Sequence, residues 1–245
     1  MALLWLLLNA AQALFLAAWT SLWITLALLV LGVTFRRDLP LAMARRCWGP
    51  GVLLGAGVTL EVEGGDDIDW SKPHVFVSNH SSFLDIPVAF VALRSNLRFV
   101  AKSSLAWVPF LGWYMRATGM IFVDRGKTEH AIASMRRAGE RIRAGASILA
   151  YPEGTRSPDG RIGTLKRGAF VVALESRVPV VPVAIVGAER VLAPGGFRVR
   201  PGRVRVRIGA PIPTEGVAVE DRGAFVARVR AAMIAEHRAI GGASE

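Results

Sequence analysis

Cysteine is almost missing from this chain: Cys47 stands alone among 245 residues. An intrachain disulfide and a cysteine-rich metal site are therefore both excluded. Lysine is scarce as well, limited to Lys72, Lys102, Lys127 and Lys166, so the net charge of +11 rests mainly on arginine. Internal repeats and low-complexity linkers are lacking, which removes solenoids and strings of small modules. Charge itself is missing from the first 35 residues and begins only at Arg36, the one sharp break in composition. What remains is a hydrophobic chain, 52% apolar, with 30 basic side chains against 19 acidic ones. Such a surface favours anionic partners, whether nucleic acid, phosphorylated small molecules or an acidic lipid leaflet.

The uncharged leader sets the first expectation. As a helix, 35 residues would reach about 50 Å, well beyond the ~30 Å hydrocarbon core of a bilayer. A tilted helix, a bent one and two helical pieces all fit that length. A cleavable signal peptide does not, because there is no basic n-region and the apolar run is too long. Asn9, Gln12 and Thr20 lie on one helical face, but Ser21 and Thr25 do not join them, so the segment is not a clean surface-lying amphipath. Trp5, Trp19, Trp23 and Trp48 suit the headgroup zone. Arg36, Arg37, Arg45 and Arg46 follow, and the positive-inside bias puts them on the cytoplasmic side. The expected organisation is a membrane-anchoring helical segment over residues 1–48 and an α/β domain over 49–245.

Within that domain, strand and helix signals alternate. Residues 57–63 alternate as a half-buried strand. Runs at 75–78, 97–101, 120–123, 147–151 and 178–186 read as further strands, several of them continuously apolar. Helical patterns cover 85–93, 128–143, 166–175 and 225–240. Pro87 is tolerated in a first turn, which starts the first of these helices near Asp85. Residues 197–208 read as two strands joined at Pro201-Gly202. In the second, Arg203, Arg205 and Arg207 share one face, either a solvated face or a basic ribbon for phospholipid headgroups. The pattern predicts an α/β fold: a mixed sheet covered by helices on both faces, preceded by an N-terminal apolar helical membrane anchor.

The chemistry-bearing residues fall just past strand ends, where an open α/β sheet forms its ligand crevice. Asn79-His80 and Asp85 follow one strand, Lys102 a second, Asp124-Arg125 a third, and Glu153-Gly154-Thr155-Arg156 a fourth. Five residues on one continuous helix are about 140° apart, but a loop-to-helix junction can bring His80 and Asp85 together. A histidine oriented by a carboxylate can take a proton near neutral pH, and the neighbouring cations suit a phosphate. Singly, each residue has a plainer role as a loop, capping or ion-pair residue. Their shared position at strand ends favours one site.

Four blocks, in order over residues 75–186, resemble the glycerolipid acyltransferases. Asn79-His80-Ser81-Ser82-Phe83-Leu84-Asp85 is similar to that family's Asn-His-x4-Asp signature. Gly119-Met120-Ile121-Phe122-Val123-Asp124-Arg125, Tyr151-Pro152-Glu153-Gly154-Thr155-Arg156-Ser157 and Val178-Pro179-Val180-Val181-Pro182 resemble the other three. The one departure is Tyr151, where phenylalanine is commoner. Length and blocks most resemble the bacterial 1-acyl-sn-glycerol-3-phosphate acyltransferases. The resemblance implies transfer of an acyl group from acyl-carrier protein or acyl-CoA to the 2-hydroxyl of lysophosphatidic acid, giving phosphatidic acid. It implies His80 as general base and Asp85 as its orienter. Asn79, Arg125, Glu153, Gly154 and Thr155 would shape the acceptor site, while Arg156 and Lys102 would hold the phosphate.

The expected partners are lysophosphatidic acid, acyl-carrier protein or acyl-CoA, and anionic membrane lipids. No nucleic acid, metal or cofactor beyond the donor substrate is expected. The expected location is the inner membrane, with the catalytic domain on its cytoplasmic face. Another lysolipid acceptor, such as a lyso-ornithine lipid, is the alternative, followed by a non-catalytic protein that binds anionic lipid. Ser81, Ser82 and Cys47 are possible nucleophiles, although the family pattern needs none. The aromatic run from Trp107 to Tyr114 is either core or lipid-contacting, and it is a candidate lining for an acyl-chain channel.

Overall fold

A computed structural model describes residues 2–124, 128–157 and 159–243. Helix α1 (Ala2–Thr34) is one unbroken helix of 33 residues, so the bent and two-piece alternatives fall away. The chain turns at Phe35–Arg37 and continues as α2 (Asp38–Met43), a π-helical turn (Ala44–Trp48) and α3 (Gly49–Gly55). This helical run passes through residue 48 without a break.

The polar residues of α1 have a use that composition did not reveal. The Asn9 side-chain oxygen accepts the Val199 N–H at 2.6 Å, and Thr20 Oγ accepts the Trp48 indole N–H at 3.1 Å. The Trp19 indole donates to the Trp48 carbonyl at 3.1 Å, and Gln12 Nε2 lies 3.5 Å from the Gly55 carbonyl. Side chains on Gly51 and Gly55 would collide with the rings of Trp19 and Phe15. Glycines four apart therefore let α1 and α3 approach closely, the contact small residues permit between membrane helices. The opposite face, including Leu14, Leu22, Leu29 and Val33, stays exposed.

The sheet among the described residues has seven strands: β1 (Val58–Gly64), β2 (Val75–Ser78), β3 (Leu97–Lys102), β4 (Ile121–Val123), β5 (Ser147–Ala150), β6 (Val180–Val186) and β7 (Gly202–Ile208). Their order is β1-β7-β6-β2-β5-β3-β4. Strands β2 to β6 are mutually parallel, β7 runs antiparallel to β6, and β1 is parallel to β7. Alternation along β2 sends Phe76 to one face and Val75 and Val77 to the other, and all three are buried. Helices α1–α4 and α5 (Leu111–Thr118) cover the first face. Helices α6 (Thr128–Arg143), α7 (Gly168–Ser176) and α9 (Arg222–Ala239) cover the second. The short α8 (Ala188–Val191) follows β6. Each large apolar side chain so buried contributes about 1.5–3 kcal/mol. The expected mixed sheet with helices on both faces is what forms.

One expectation fails. Residues 197–208 do not make a hairpin: only the isolated bridge Leu192–Val199 precedes β7, which begins at Gly202. The Gly202 N–H is taken by the Gly57 carbonyl at 3.1 Å, so Pro201-Gly202 opens a strand whose partners lie far away in sequence. The arginines of β7 do share a face, and two of the three are paired. Arg203 meets Glu61 at 3.1 Å, while Arg207 meets Glu63 at 2.8 Å and Glu236 at 2.6 Å.

Candidate active site

Because β2, β5 and β3 are parallel neighbours, their C-terminal ends share one sheet edge. That edge carries His80, Tyr151–Arg156 and Lys102. Asp85 opens α4 (Asp85–Ala92) and is fully buried. Its Oδ2 accepts the Ser81 N–H at 2.7 Å and the Ser82 N–H at 2.8 Å, and lies 2.7 Å from His80 Nδ1. A carboxylate can only accept, so Nδ1 carries a proton, and in the neutral ring Nε2 is the nitrogen with the free lone pair. Asp85 Oδ1 is buried with no hydrogen-bond partner among the described residues.

The loop after β5 completes the setting. The Tyr151 ring stacks on His80, with centroids 4.2 Å apart and planes 20° apart. Its hydroxyl donates to the Asp85 main-chain carbonyl at 3.1 Å. Burial, with the Asp85 charge adding to it, drives the Tyr151 phenol well above its usual pKa, so it remains a donor. Glu153 accepts the His80 N–H at 3.2 Å and the Gly163 N–H at 3.1 Å. Burial raises its carboxyl pKa, against the opposing pull of those two N–H groups. Gly154 turns the loop at φ +81°, where a side chain would meet the Lys166 amine. The Ser157 N–H then donates to the His80 carbonyl at 2.7 Å, binding the two loops together.

A cavity of about 580 Å³ opens beside His80, within the ~300–1,000 Å³ usual for small-molecule sites. Its polar end is formed by His80, Lys102, Gly154, Thr155 and Arg156. The Arg156 guanidinium sits 3.9 Å over the Phe83 ring, with Nη1 buried and unpartnered among the described residues. Its body is apolar, with walls from Ile86, Phe90, Phe99 and Met115. Helix α1 supplies Thr20, Trp23, Ile24 and Ala27, so the supposed anchor is also a cavity wall.

Five of the expected site residues thus surround the cavity directly, with Asp85 behind His80. Two others are engaged in holding loops together. The Asn79 amide is buried and bonded both ways to Ile185, donating to its carbonyl and accepting its N–H at 2.8 Å each. It stitches the His80 loop to β6. Glu153 is likewise a brace between loops, since both carboxylate oxygens accept backbone N–H groups. Arg125 lies outside the described residues. Ser81 Oγ donates to Glu189 at 3.3 Å and Ser82 Oγ to the Leu192 carbonyl at 2.7 Å, which turns both hydroxyls to scaffolding. Of the aromatic run, Leu111 and Tyr114 line the cavity, whereas Trp107, Phe110 and Trp113 are exposed outside it. Sequence reasoning missed the Tyr151 stack and the hydroxyl bond to the Asp85 carbonyl, and the departure from phenylalanine could signal only the second.

The model of the family described as Acyltransferase matches residues 59–186, a span that contains the His80–Asp85 pair and the Tyr151–Arg156 loop. The chain belongs to the acyltransferase family. This acyltransferase is 37% identical over 155 residues to the chloroplastic 1-acyl-sn-glycerol-3-phosphate acyltransferase of Arabidopsis thaliana, covering 62% of this chain and 43% of that protein. It is 33% identical over 199 residues to the 1-acyl-sn-glycerol-3-phosphate acyltransferase of Saccharomyces cerevisiae, covering 80% of this chain and 65% of the yeast protein. The chain thus spans less than two thirds of the length of either relative. The acyltransferase also superposes on the crystal structure of the 1-acyl-sn-glycerophosphate (LPA) acyltransferase PlsC from Thermotoga maritima. That match has a TM-score of 0.81 and 25% identity, over 98% of both chains.

Proposed function

We propose that this acyltransferase moves a fatty acyl group from a thioester donor, acyl-carrier protein or acyl-CoA, to the 2-hydroxyl of lysophosphatidic acid. One observation carries this reading: an oriented imidazole opens into a cavity with two cations at its polar end and an apolar body. The names of the relatives support the same acceptor.

In this reading the acceptor hydroxyl attacks the thioester carbonyl while His80 Nε2 takes its proton. Asp85 holds the ring and stabilises the imidazolium. The C–S bond then breaks, the thiolate leaves, and the proton on His80 passes to it. The products are phosphatidic acid and a free thiol. Arg156 and Lys102 hold the phosphate, with charge-assisted hydrogen bonds. The apolar body takes an acyl chain.

Helix α1 keeps the enzyme on its lipid substrate. Contacts with the domain run from Asn9 to Ala27, about 27 Å of helix. A bilayer-crossing α1 would have to give these contacts up, which favours insertion into a single leaflet with the outer face of α1 in lipid. The arginines at 36, 37, 45 and 46 favour the cytoplasmic face of the inner membrane.

The test is a panel of lysolipids with a labelled acyl donor. Lysophosphatidic acid should be acylated at least tenfold faster than a phosphate-free acceptor, given about 1.5–3 kcal/mol per charged hydrogen bond. A preference for a phosphate-free acceptor such as a lyso-ornithine lipid would overturn the acceptor assignment. Lipid binding without transfer to any member would favour the non-catalytic reading.

A further inference from the structure

Between β3 and α5 the chain exposes an aromatic cluster that the proposed chemistry does not use. Lys102 ends β3, a 3-10 turn covers Ser103–Trp107, and α5 starts at Leu111. On this bend and the first turn of α5, Trp107 is 81% exposed, Trp113 53% and Phe110 49%, with Val108 beside them also exposed. Three large exposed aromatic residues at this bend and the start of α5 are not explained by the core. Phe110 sits at φ +61°, a conformation a bulky side chain seldom adopts. Here the strained backbone carries its ring outward.

The surroundings identify what would cover the cluster. From Ile86 to Val123 the sequence has Arg94, Arg98, Lys102 and Arg116 and no aspartate or glutamate. The Arg116 guanidinium lies 4.9 Å from the Trp107 ring centroid, so a cation accompanies the most exposed indole. Helix α5 packs against α1, whose outer face exposes Leu14, Leu22 and Leu29. Leu105 and Leu111, on either side of the bend, line the catalytic cavity together with Lys102. Indoles, cations and missing carboxylates together match the headgroup zone of an anionic leaflet.

We infer that Trp107, Phe110 and Trp113 form a second membrane contact, separate from α1, that seats the cavity mouth in an anionic lipid surface. This goes beyond the proposed reaction, because α1 alone would tether the protein without fixing which side of the domain meets the leaflet. Two contacts on different elements fix that orientation. A lipid acceptor could then enter sideways from the leaflet with its phosphate already near Lys102.

The experiment uses full-length protein in proteoliposomes of phosphatidylcholine mixed with phosphatidylglycerol, in a Cys47→Ser background. An environment-sensitive fluorophore is attached at Trp107→Cys and, as a control, at the exposed Glu220→Cys. Doxyl-labelled lipid should quench the fluorophore at position 107 and blue-shift its emission, leaving position 220 unchanged. Equal, water-like emission at both positions would overturn the proposal. So would a dimer detected by sedimentation and lost in a Trp107→Ser/Phe110→Ser/Trp113→Ser variant without any lipid response, which would assign the cluster to a second copy.

The same triple variant gives a kinetic reading. KM for vesicle-embedded acceptor should rise about tenfold, as expected if interfacial aromatics are lost. Turnover of a dispersed short-chain acceptor should stay within about twofold, which also reports that the variant folds. An unchanged KM for the embedded acceptor would overturn the proposal. If the unaltered enzyme turned over neither acceptor, the reaction assignment would fail while the quenching result still decided the membrane contact.

Discussion

Two edges of the molecule carry arginines and carboxylates, and they differ in whether those charges meet. Along β1 and β7, Arg203 faces Glu61, and Arg207 is shared by Glu63 and Glu236. At the strand ends of β2, β3 and β5, Asp85 is occupied by His80 and two backbone N–H groups, and Glu153 by two more. Lys102 and Arg156 are left without a carboxylate partner among the described residues. Both regions look basic in the sequence, but the second places its unpaired cations on the wall of a cavity. The useful signal is thus an unneutralised charge beside a cavity, more than the number of charges in a stretch.

The largest expected effect is at the base. His80→Ala should lower turnover roughly 10²–10⁴-fold with vesicle binding intact, and Asp85→Asn should fall in the same direction by misorienting the ring. Near-normal turnover by purified His80→Ala protein would remove histidine from the mechanism. Next comes the open cation: Arg156→Ala should raise KM for the phosphate-bearing acceptor about 10- to 100-fold. Steady-state kinetics in which only kcat changed would deny Arg156 a binding role.

A smaller effect is expected at Tyr151. Tyr151→Leu removes the ring stacked on the imidazole and should lower kcat roughly 3- to 30-fold with acceptor KM unchanged, since an aromatic face stabilises a neighbouring cation. Tyr151→Phe keeps the stack, gives up one hydrogen bond, and should stay within about threefold. Equal losses in the two variants would mean that the hydroxyl matters and the stack does not. The smallest effect belongs to the other edge. Replacing Arg203, Arg205 and Arg207 with serine should leave turnover and binding to anionic vesicles within about twofold, because exposed ion pairs contribute little. A strong loss of vesicle binding would reverse the contrast between the two edges.

Much of this was legible in the sequence because it depends on neighbours in the chain. Strand β2 and helix α6 have the limits their patterns suggest, and α4 starts at Asp85 because Pro87 can occupy only a first turn. The His80–Asp85 pairing follows from a loop entering a helix five residues later. What stayed hidden depends on distant partners. Asn79 bonds Ile185, 106 residues away, and Glu153 reaches back 73 residues to His80. Strand β7 takes β1 as its parallel neighbour, and no local pattern near Pro201 records that choice. The same holds for α1, whose polar residues read as blemishes in an apolar run until their partners at Trp48 and Val199 are known.

The close fit of α1 on Gly51 and Gly55 has a consequence for how the protein is made. During synthesis α1 leaves the ribosome before any surface it will rest on exists. The segment with Trp48, Gly51 and Gly55 follows within about 20 residues, so a helical pair can assemble while the sheet is still being translated. The contact from Asn9 to Val199 spans 190 residues and can close only when most of the chain has emerged. Trimming the leader to obtain a water-soluble protein would therefore remove both the tie to Val199 and one wall of the cavity beside His80.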